Sequence, residues 1–444
     1  MKIKASVVAM GFLALASSSV FAEAINNTVT VTTTGTYNNA LVDQKDTNGD
    51  NVAISQQGGL IAAGNRASVT ESSSRDNTVV INQSSMLNNA SVNTSGGAGN
   101  ATNIDQSGVL TAAKASVVQT GEVQNKVNIT QTGFVSGSSA NVNSNNGTGN
   151  TTSIYQTGVN SASVAQNVGS DNTTIISQTG ALGVASVGQA SSSGNNTNVQ
   201  QDGASGNATV SQTLGYDNTT NIAQHGSLET ATVSQLGALG NTTQILQTGP
   251  SNTANVAQTL SAANLTSILQ TGSNNNAAVS TMLALGGNVT VSQMGSKSQA
   301  SVSQVSEAGS SATVSQSGSG VNNVSTLQHN GSGNEITSTQ VSTGTAVNTA
   351  GLSQVGAFGS KLDVLQHGSG NNAVAYQAGM EETLLASQDG VSNELYSSQS
   401  GSGNRIASTQ VGGSNYASVT QAGSGNIATV TQTGIHNSTT IAQH

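Results

Sequence analysis

Tyr416-Ala417-Ser418-Val419-Thr420-Gln421-Ala422-Gly423, then Asn426-Ile427-Ala428-Thr429-Val430-Thr431-Gln432-Thr433-Gly434, then Asn437-Ser438-Thr439-Thr440-Ile441-Ala442-Gln443 decide how the rest of the sequence is read. Counting from each glutamine, an asparagine stands six before, a small residue four before, and a branched aliphatic two before. Where the sequence continues, a glycine stands two after. Even offsets share one face of a β-strand. Asn, Ala or Thr, Val or Ile, and Gln therefore point one way, while Ser, Thr and Ala alternate on the other. A period of 3.6 would scatter the same four positions around a helix. The unit is a strand and a tight turn.

Working back from this stretch, Gln366, Gln377, Gln388, Gln399, Gln410, Gln421, Gln432 and Gln443 fall at intervals of eleven. Upstream the same frame runs through Gln156, Gln166, Gln178, Gln189, Gln201, Gln212, Gln224, Gln235, Gln247, Gln258 and Gln270. Met282 is read as replacing one glutamine before Gln293, Gln304, Gln316, Gln328, Gln340 and Gln354. The first third is a degenerate version, with Thr33, Gln44, Gln56, Glu71, Gln83, Thr94, Gln106, Gln119, Gln131 and Ser144 in the Gln place. This makes 36 units, and a fixed period of this kind predicts a solenoid. Two units per coil give an all-β solenoid, a β-helix of about 18 two-strand coils, with a rod on the order of 85 Å long at ~4.8 Å per coil. Three segments are expected: a leader at 1–22, degenerate repeats at 23–149 and regular repeats at 150–444, the last two forming one continuous solenoid.

Composition agrees with that reading. Charged residues are 7% and aromatics 2% of the 444, with no Cys or Trp and one Pro, which does not suit an ordinary globular core. Disorder is the simplest reading of such polarity, but the apolar residues are periodic. The formal charge of −9 disfavours nucleic acid as a partner. Lys2 and Lys4, the apolar run Val7 to Ala16, and Val20-Phe21-Ala22 read as a secretory signal, so a mature chain starting near Glu23 is expected.

The aromatic residues after the leader (Phe134, Phe358, Tyr37, Tyr155, Tyr216, Tyr376, Tyr396 and Tyr416) take turn or odd offsets and are expected outside. Arg66, Lys114, Lys126, Lys361 and Arg405 share an outward offset. The interior is then expected to hold only Ala, Thr, Val, Ile, Leu, Asn and Gln. Buried amides need partners. Stacked in register, each can bond the one above and below, as in cross-β amide ladders. The expected ladder formers are the eight glutamines from Gln366 to Gln443 together with Asn404, Asn415, Asn426 and Asn437. Gly401, Gly423 and Gly434 are expected to make the turns. The first coil starts close to the expected cleavage site and the last strand finishes at Gln443, so both end coils are expected to be uncapped. An uncovered strand edge is a template for another chain, and head-to-tail contact that does not close gives a filament.

No catalytic, cofactor-binding or metal-binding residue is singled out. His225, His329, His367, His436 and His444 are scattered over turns, and no Ser-His-Asp arrangement or carboxylate pair recurs at related offsets. Asp46-Thr47-Asn48-Gly49-Asp50 is a fragment of a calcium loop and reads as a polar turn. An enzyme is not expected.

Gln421-Ala422-Gly423-Ser424-Gly425-Asn426-Ile427-Ala428-Thr429-Val430-Thr431-Gln432 resembles the repeat of the curlin family, Ser-x5-Gln-x-Gly-x-Gly-Asn-x-Ala-x3-Gln. Gln399-Ser400-Gly401-Ser402-Gly403-Asn404-Arg405-Ile406-Ala407-Ser408-Thr409-Gln410 is another close copy with the apolar order changed. The resemblance implies a structural subunit of a secreted curli-like amyloid fibre serving adhesion and biofilm matrix. It implies self-association, a nucleator subunit, and outer-membrane secretion machinery of a Gram-negative bacterium as partners. The alternative is a surface adhesin or ice-binding rod that does not polymerise and works through its outward Ser/Thr face.

Overall fold

A computed structural model describes the backbone of residues 4–9, 18–58, 64–108, 112–133 and 137–444, with side chains from residue 25 onward. Half of the expected leader at 1–22, residues 1–3 and 10–17, lies outside the described residues, as does Phe134. The chain is an all-strand β-solenoid of about 18 turns. Among the described residues there are 36 strands from Thr28–Thr34 to Ser438–Gln443, one for each repeat. Successive strands go alternately to two parallel sheets. Within each unit, strands pair in register with those two places on, as Thr28–Thr34 does with Asn51–Gln57 and Asn39–Asn48 with Arg66–Arg75.

The coils gather into two compact units, Met1–Asp217 with Ile222–Gln224, and Asn218–Asn221 with His225–His444. In the first, one sheet contributes isoleucines to the core (Ile54, Ile81, Ile104, Ile129, Ile154 and Ile176), and the other contributes Ala-x-Val pairs such as Ala115 and Val117. A branched side chain is stiff and suits a pleated, half-buried surface. Two flat sheets lined with such residues, with no large ring between them, can approach closely, and each buried Val or Ile stabilises the coil by roughly 1.5–3 kcal/mol.

The second unit shows how this core tolerates rearrangement. Ala417 with Val419 and Ala428 with Val430 keep the common order, small then large. Leu384 with Ala386, Leu395 with Ser397 and Ile406 with Ser408 invert it, and all of these positions are buried. Volume within each strand is nearly conserved, so the swap disturbs packing little. The described aromatics lie outside, Tyr37, Tyr155, Tyr216, Phe358, Tyr376, Tyr396 and Tyr416 all being exposed.

Two expectations need correction. Met282 is not a ladder position: Gln258 pairs with Thr281, and Thr281 with Gln304, so threonine faces in while Met282 turns out to solvent. A one-residue slip reverses every side chain of a strand, and reading Met282 in the place of a glutamine puts this strand in the wrong phase. The interior also holds residues outside the expected set. Ser144, Ser338, Ser397 and Ser408 are buried, and so are the carboxyls Asp50, Glu71, Glu122, Glu229, Glu307 and Glu382.

The turns are set by backbone geometry that L-residues resist. Gly401 has φ +123° and stacks between Gly379 and Gly423 in neighbouring coils, where a Cβ would strike the carbonyl oxygen of Gly423. Gly403, two residues on, has φ +66° but open space around it. Gly401→Ala should therefore destabilise the protein more than Gly403→Ala, whose left-handed backbone alone costs about 1–2 kcal/mol. Denaturant midpoints of the two variants measure this; equal losses would mean that the close stacking of turns contributes nothing.

Candidate functional site

The candidate element is the pair of amide rows that run along each unit. A glutamine side chain has one acceptor oxygen and two N–H donors, and the coil uses all three. Gln388 Nε2 donates along the row to Gln410 Oε1 at 2.8 Å and across the core to the carbonyl of Asn372 at 3.0 Å. Its own oxygen accepts from Gln366 Nε2 at 2.8 Å. The other glutamines repeat this. Gln377 donates to Gln399, Gln399 to Gln421, Gln410 to Gln432, and Gln421 to Gln443, at 2.7–3.1 Å. Gln366, Gln388, Gln410 and Gln432 thus form one row, and Gln377, Gln399, Gln421 and Gln443 the other.

The asparagines do different work. The backbone N–H of Asn426 donates to Asn404 Oδ1 at 3.0 Å, and that of Asn437 to Asn415 Oδ1 at 3.1 Å. The Asn404 amide donates to the carbonyls of Ser400 and Gly423, both at 3.1 Å, closing its own turn and fastening it to the next coil. Asn415 makes the equivalent bonds to Val411 and Gly434, and Asn426 holds the carbonyl of Ala422. Gly423 and Gly434 have φ of +100° and +112° and supply the carbonyls that these amides hold. The structure thus brings together all of the singled-out glutamines, asparagines and glycines.

The first unit runs the same scheme with interruptions. Gln83 donates to Gln106, Gln106 to Gln131, Gln131 to Gln156 and Gln156 to Gln178, at 2.8–2.9 Å. Inward threonines tie the sheets across the core, Thr102 to Gln119 Oε1 and Thr174 to Gln189 Oε1. Ser144 is too short to reach, and both its hydroxyl and Gln119 Nε2 are buried without a partner.

The inward acids are what the composition did not reveal. Glu71 occupies a ladder position, accepts from Gln44 Nε2 at 2.6 Å through Oε2, and has its other oxygen buried without a partner. A carboxylate can only accept, whereas this row requires each member to donate onward. Burial pushes the carboxyl up to about 7, against the lowering effect of the Gln44 bond and with a further rise from Asp50. Burial likewise raises Asp50, Glu122, Glu307 and Glu382, despite hydrogen bonds that oppose it. Three other glutamates, Glu122, Glu307 and Glu382, also have one buried oxygen without a partner. The signal for them was weak but present: Glu71 stands in the Gln phase, and Glu229 and Glu382 stand where asparagine is usual.

The histidines stay on the surface; His367 Nδ1 lies 2.8 Å from Asp389 Oδ1 on exposed coils. Among the described residues no three His, Asp or Glu side chains gather to hold a metal.

Two predictions follow from this geometry. Gln388→Ala leaves Gln366 Nε2 and Gln410 Oε1 short of a partner and should cost about 1–3 kcal/mol for each group left unsatisfied, while the outward Thr409→Ala stays close to wild type in the same denaturation series. For Glu71 the sign follows from a folded value above the unfolded 4.5: its stabilisation is complete below pH 4.5 and is lost as pH rises toward about 7. Glu71→Gln should flatten the fall in melting temperature across that interval; an unchanged pH profile would refute the assignment.

Comparison with known proteins gives a result in keeping with these rows. No curated protein matches the chain. Residues 409–434, which run from one repeat glutamine through Gln421 and Gln432 to the glycine of the next turn, match the family profile of the curlin associated repeat.

Proposed function

We propose that this chain is a structural subunit of a secreted, curli-like amyloid fibre that supports cell adhesion and a biofilm matrix, and that it polymerises by adding coil to coil. The curlin associated repeat and the solenoid fold are compatible with a curli-like structural subunit and speak for a structural protein rather than an enzyme. The observation that carries the proposal further is the direction of the rows. In the rows described above, each glutamine-to-glutamine bond is donated from the lower-numbered coil to the higher-numbered one. A row of this kind has a donor end and an acceptor end, so two copies complement each other head to tail and not head to head. That is the heterologous contact that generates filaments.

A further coil docked on Ile427–Ile435 and Ser438–Gln443 would meet the donor side of the rows. Thr439, Ile441 and Gln443 are partly exposed, while their counterparts one coil earlier, Ala417, Val419 and Gln421, are buried. Gln432 Nε2, lacking a glutamine to donate to, turns to Thr439 Oγ1 at 3.1 Å. A further coil in the same register would cover this apolar row and receive both amides. The partners in this reading are further copies of the chain, a nucleator subunit and an outer-membrane export machinery, and the location is the outside of the cell.

Residues 23–444, diluted from denaturant and followed by thioflavin fluorescence and electron microscopy, should grow unbranched fibres, faster with sonicated seeds. A monodisperse β-rich monomer that ignores seeds would refute the proposal. Gln421→Ala combined with Gln432→Ala should slow growth more than Thr420→Ala; identical kinetics would remove the amide rows from the assembly step.

A further inference from the structure

The first repeat coil and the last do not present the same surface. Val29 and Val31 of strand Thr28–Thr34, and Ala40, Val42 and Gln44 of strand Asn39–Asn48, are all buried, Gln44 being 1% exposed. Their counterparts in the last coil, Thr439, Ile441 and Gln443, are partly exposed. What lies on the first coil is the segment read as a leader. Lys4–Ala9 pairs in parallel with Thr28–Thr34, and Ser18–Ile25 with Asn39–Asn48. Of the two ends expected to be uncapped, the full chain therefore leaves only the last one open among the described residues.

Register shows what kind of coil the leader makes. Ala5, Val7 and Ala9 stand opposite Val29, Val31 and Thr33, and Ser18, Val20 and Ala22 opposite Ala40, Val42 and Gln44. These are the small, branched and glutamine places of the repeat. Both leader strands fill the first two in kind and put alanine in the third. Alanine has no side-chain donor or acceptor, so this coil continues the apolar pattern and ends the amide rows. Gln44 shows the consequence. Its Nε2 donates to Glu71 Oε2 at 2.6 Å, while its Oε1 is buried without a partner. Gln304 Oε1, which follows Thr281 in its row, is left in the same state. A buried acceptor without a partner is unfavourable, and a coil that brought a glutamine to the place of Ala22 would relieve it.

The expected cleavage site falls near the end of the regular pairing. Ser18 to Glu23 stand opposite Ala40 to Lys45 without interruption, and the register then slips by one before Ala24 and Ile25. Cutting between Ala22 and Glu23 would take nearly all of the regular part away with the leader. Glu23, Ala24 and Ile25 would stay with the mature chain.

We infer that the leader, as long as it is attached, is a false end coil that covers the acceptor end of the rows, and that its removal opens a surface whose partner is the C-terminal coil of another copy. The inference rests on the fibre reading above. Cleavage adds one water across the Ala22–Glu23 bond, leaving a carboxylate on Ala22 and an amine on Glu23. The leader strands then lose the high effective concentration that attachment gives them. A second copy competes for the same edge with Gln432 and Gln443 in the places held by Ala9 and Ala22. Gln443 Nε2 donates to the carbonyl of Ile427 at 3.1 Å and has a second N–H to give to Gln44 Oε1. The unprocessed chain keeps its own open C-terminal coil, so it can add once to a growing fibre and then stops it.

The test compares full-length 1–444 with 23–444. Each is diluted from denaturant onto sonicated seeds of 23–444 and followed by thioflavin fluorescence and electron microscopy. The full chain should fail to elongate the seeds, and seeds exposed to it first should grow more slowly in fresh 23–444. Val7→Asp combined with Val20→Asp puts a charge opposite the buried Val31 and Val42, which the core does not accept. This double variant should restore elongation to the full chain. Full-length protein that elongates seeds as 23–444 does, seeds that grow unhindered after exposure to it, or a double variant that stays blocked each overturn the inference and leave the fibre reading standing. Failure of 23–444 itself to make fibres removes both.

Discussion

The primary amide is the group on which this molecule depends. Its one acceptor and two donors are each used in a different direction: from the coil before, to the coil after, and across to the opposite sheet. Neither a carboxylate nor a hydroxyl can serve all three. Backbone pairing alone would hold the sheets, but it gives no preference for register, since a parallel ladder slipped by two residues has the same hydrogen bonds. The amide rows penalise such a slip by leaving buried donors unpaired. That is how a chain with so little apolar volume can specify one structure. The apolar pairs between the rows then need only fill space, and their order can invert from coil to coil.

The reading of the fold from sequence succeeded where side chains alternate and chemistry is distinctive. Glutamine at one inward position marks phase without ambiguity, and the 36 strands follow it even through the degenerate first third, where Thr33, Thr94 and Ser144 stand in the row. It failed where a residue could be read in either phase. Met282 is read as standing in the place of a glutamine, although Thr281 carries the right phase and the smaller volume. The buried glutamates were harder to read, for the opposite reason. Composition assigns acids to the surface, and only their register against Gln and Asn placed them in the core.

Those acids give the coil an internal chemistry that the amide rows lack. When protonated, a glutamic acid accepts through one oxygen and donates through the other, which comes close to reproducing glutamine in the row. When ionised it interrupts the row and leaves a charge in a narrow apolar interior. Glu71 and Glu382 lie in different units, so each unit carries its own sensitivity to proton concentration. The regular coils from Arg405 onward contain no such residue and form the invariant part.

The alternation of strands between two sheets has a consequence for how such a chain can change in length. Adding or deleting one full coil leaves every remaining strand on its own sheet, with the same neighbours in line and the same amide partners. A single repeat cannot be added or removed in that way. Everything beyond it would switch sheets, setting isoleucine layers against Ala-x-Val layers in the same row and breaking the correspondence between inward threonines and opposing glutamines. Duplication in this lineage is therefore constrained to even numbers of repeats, and the genetic unit of the molecule is the pair, about 22 residues long in the most regular coils, although the visible period of its sequence is half that.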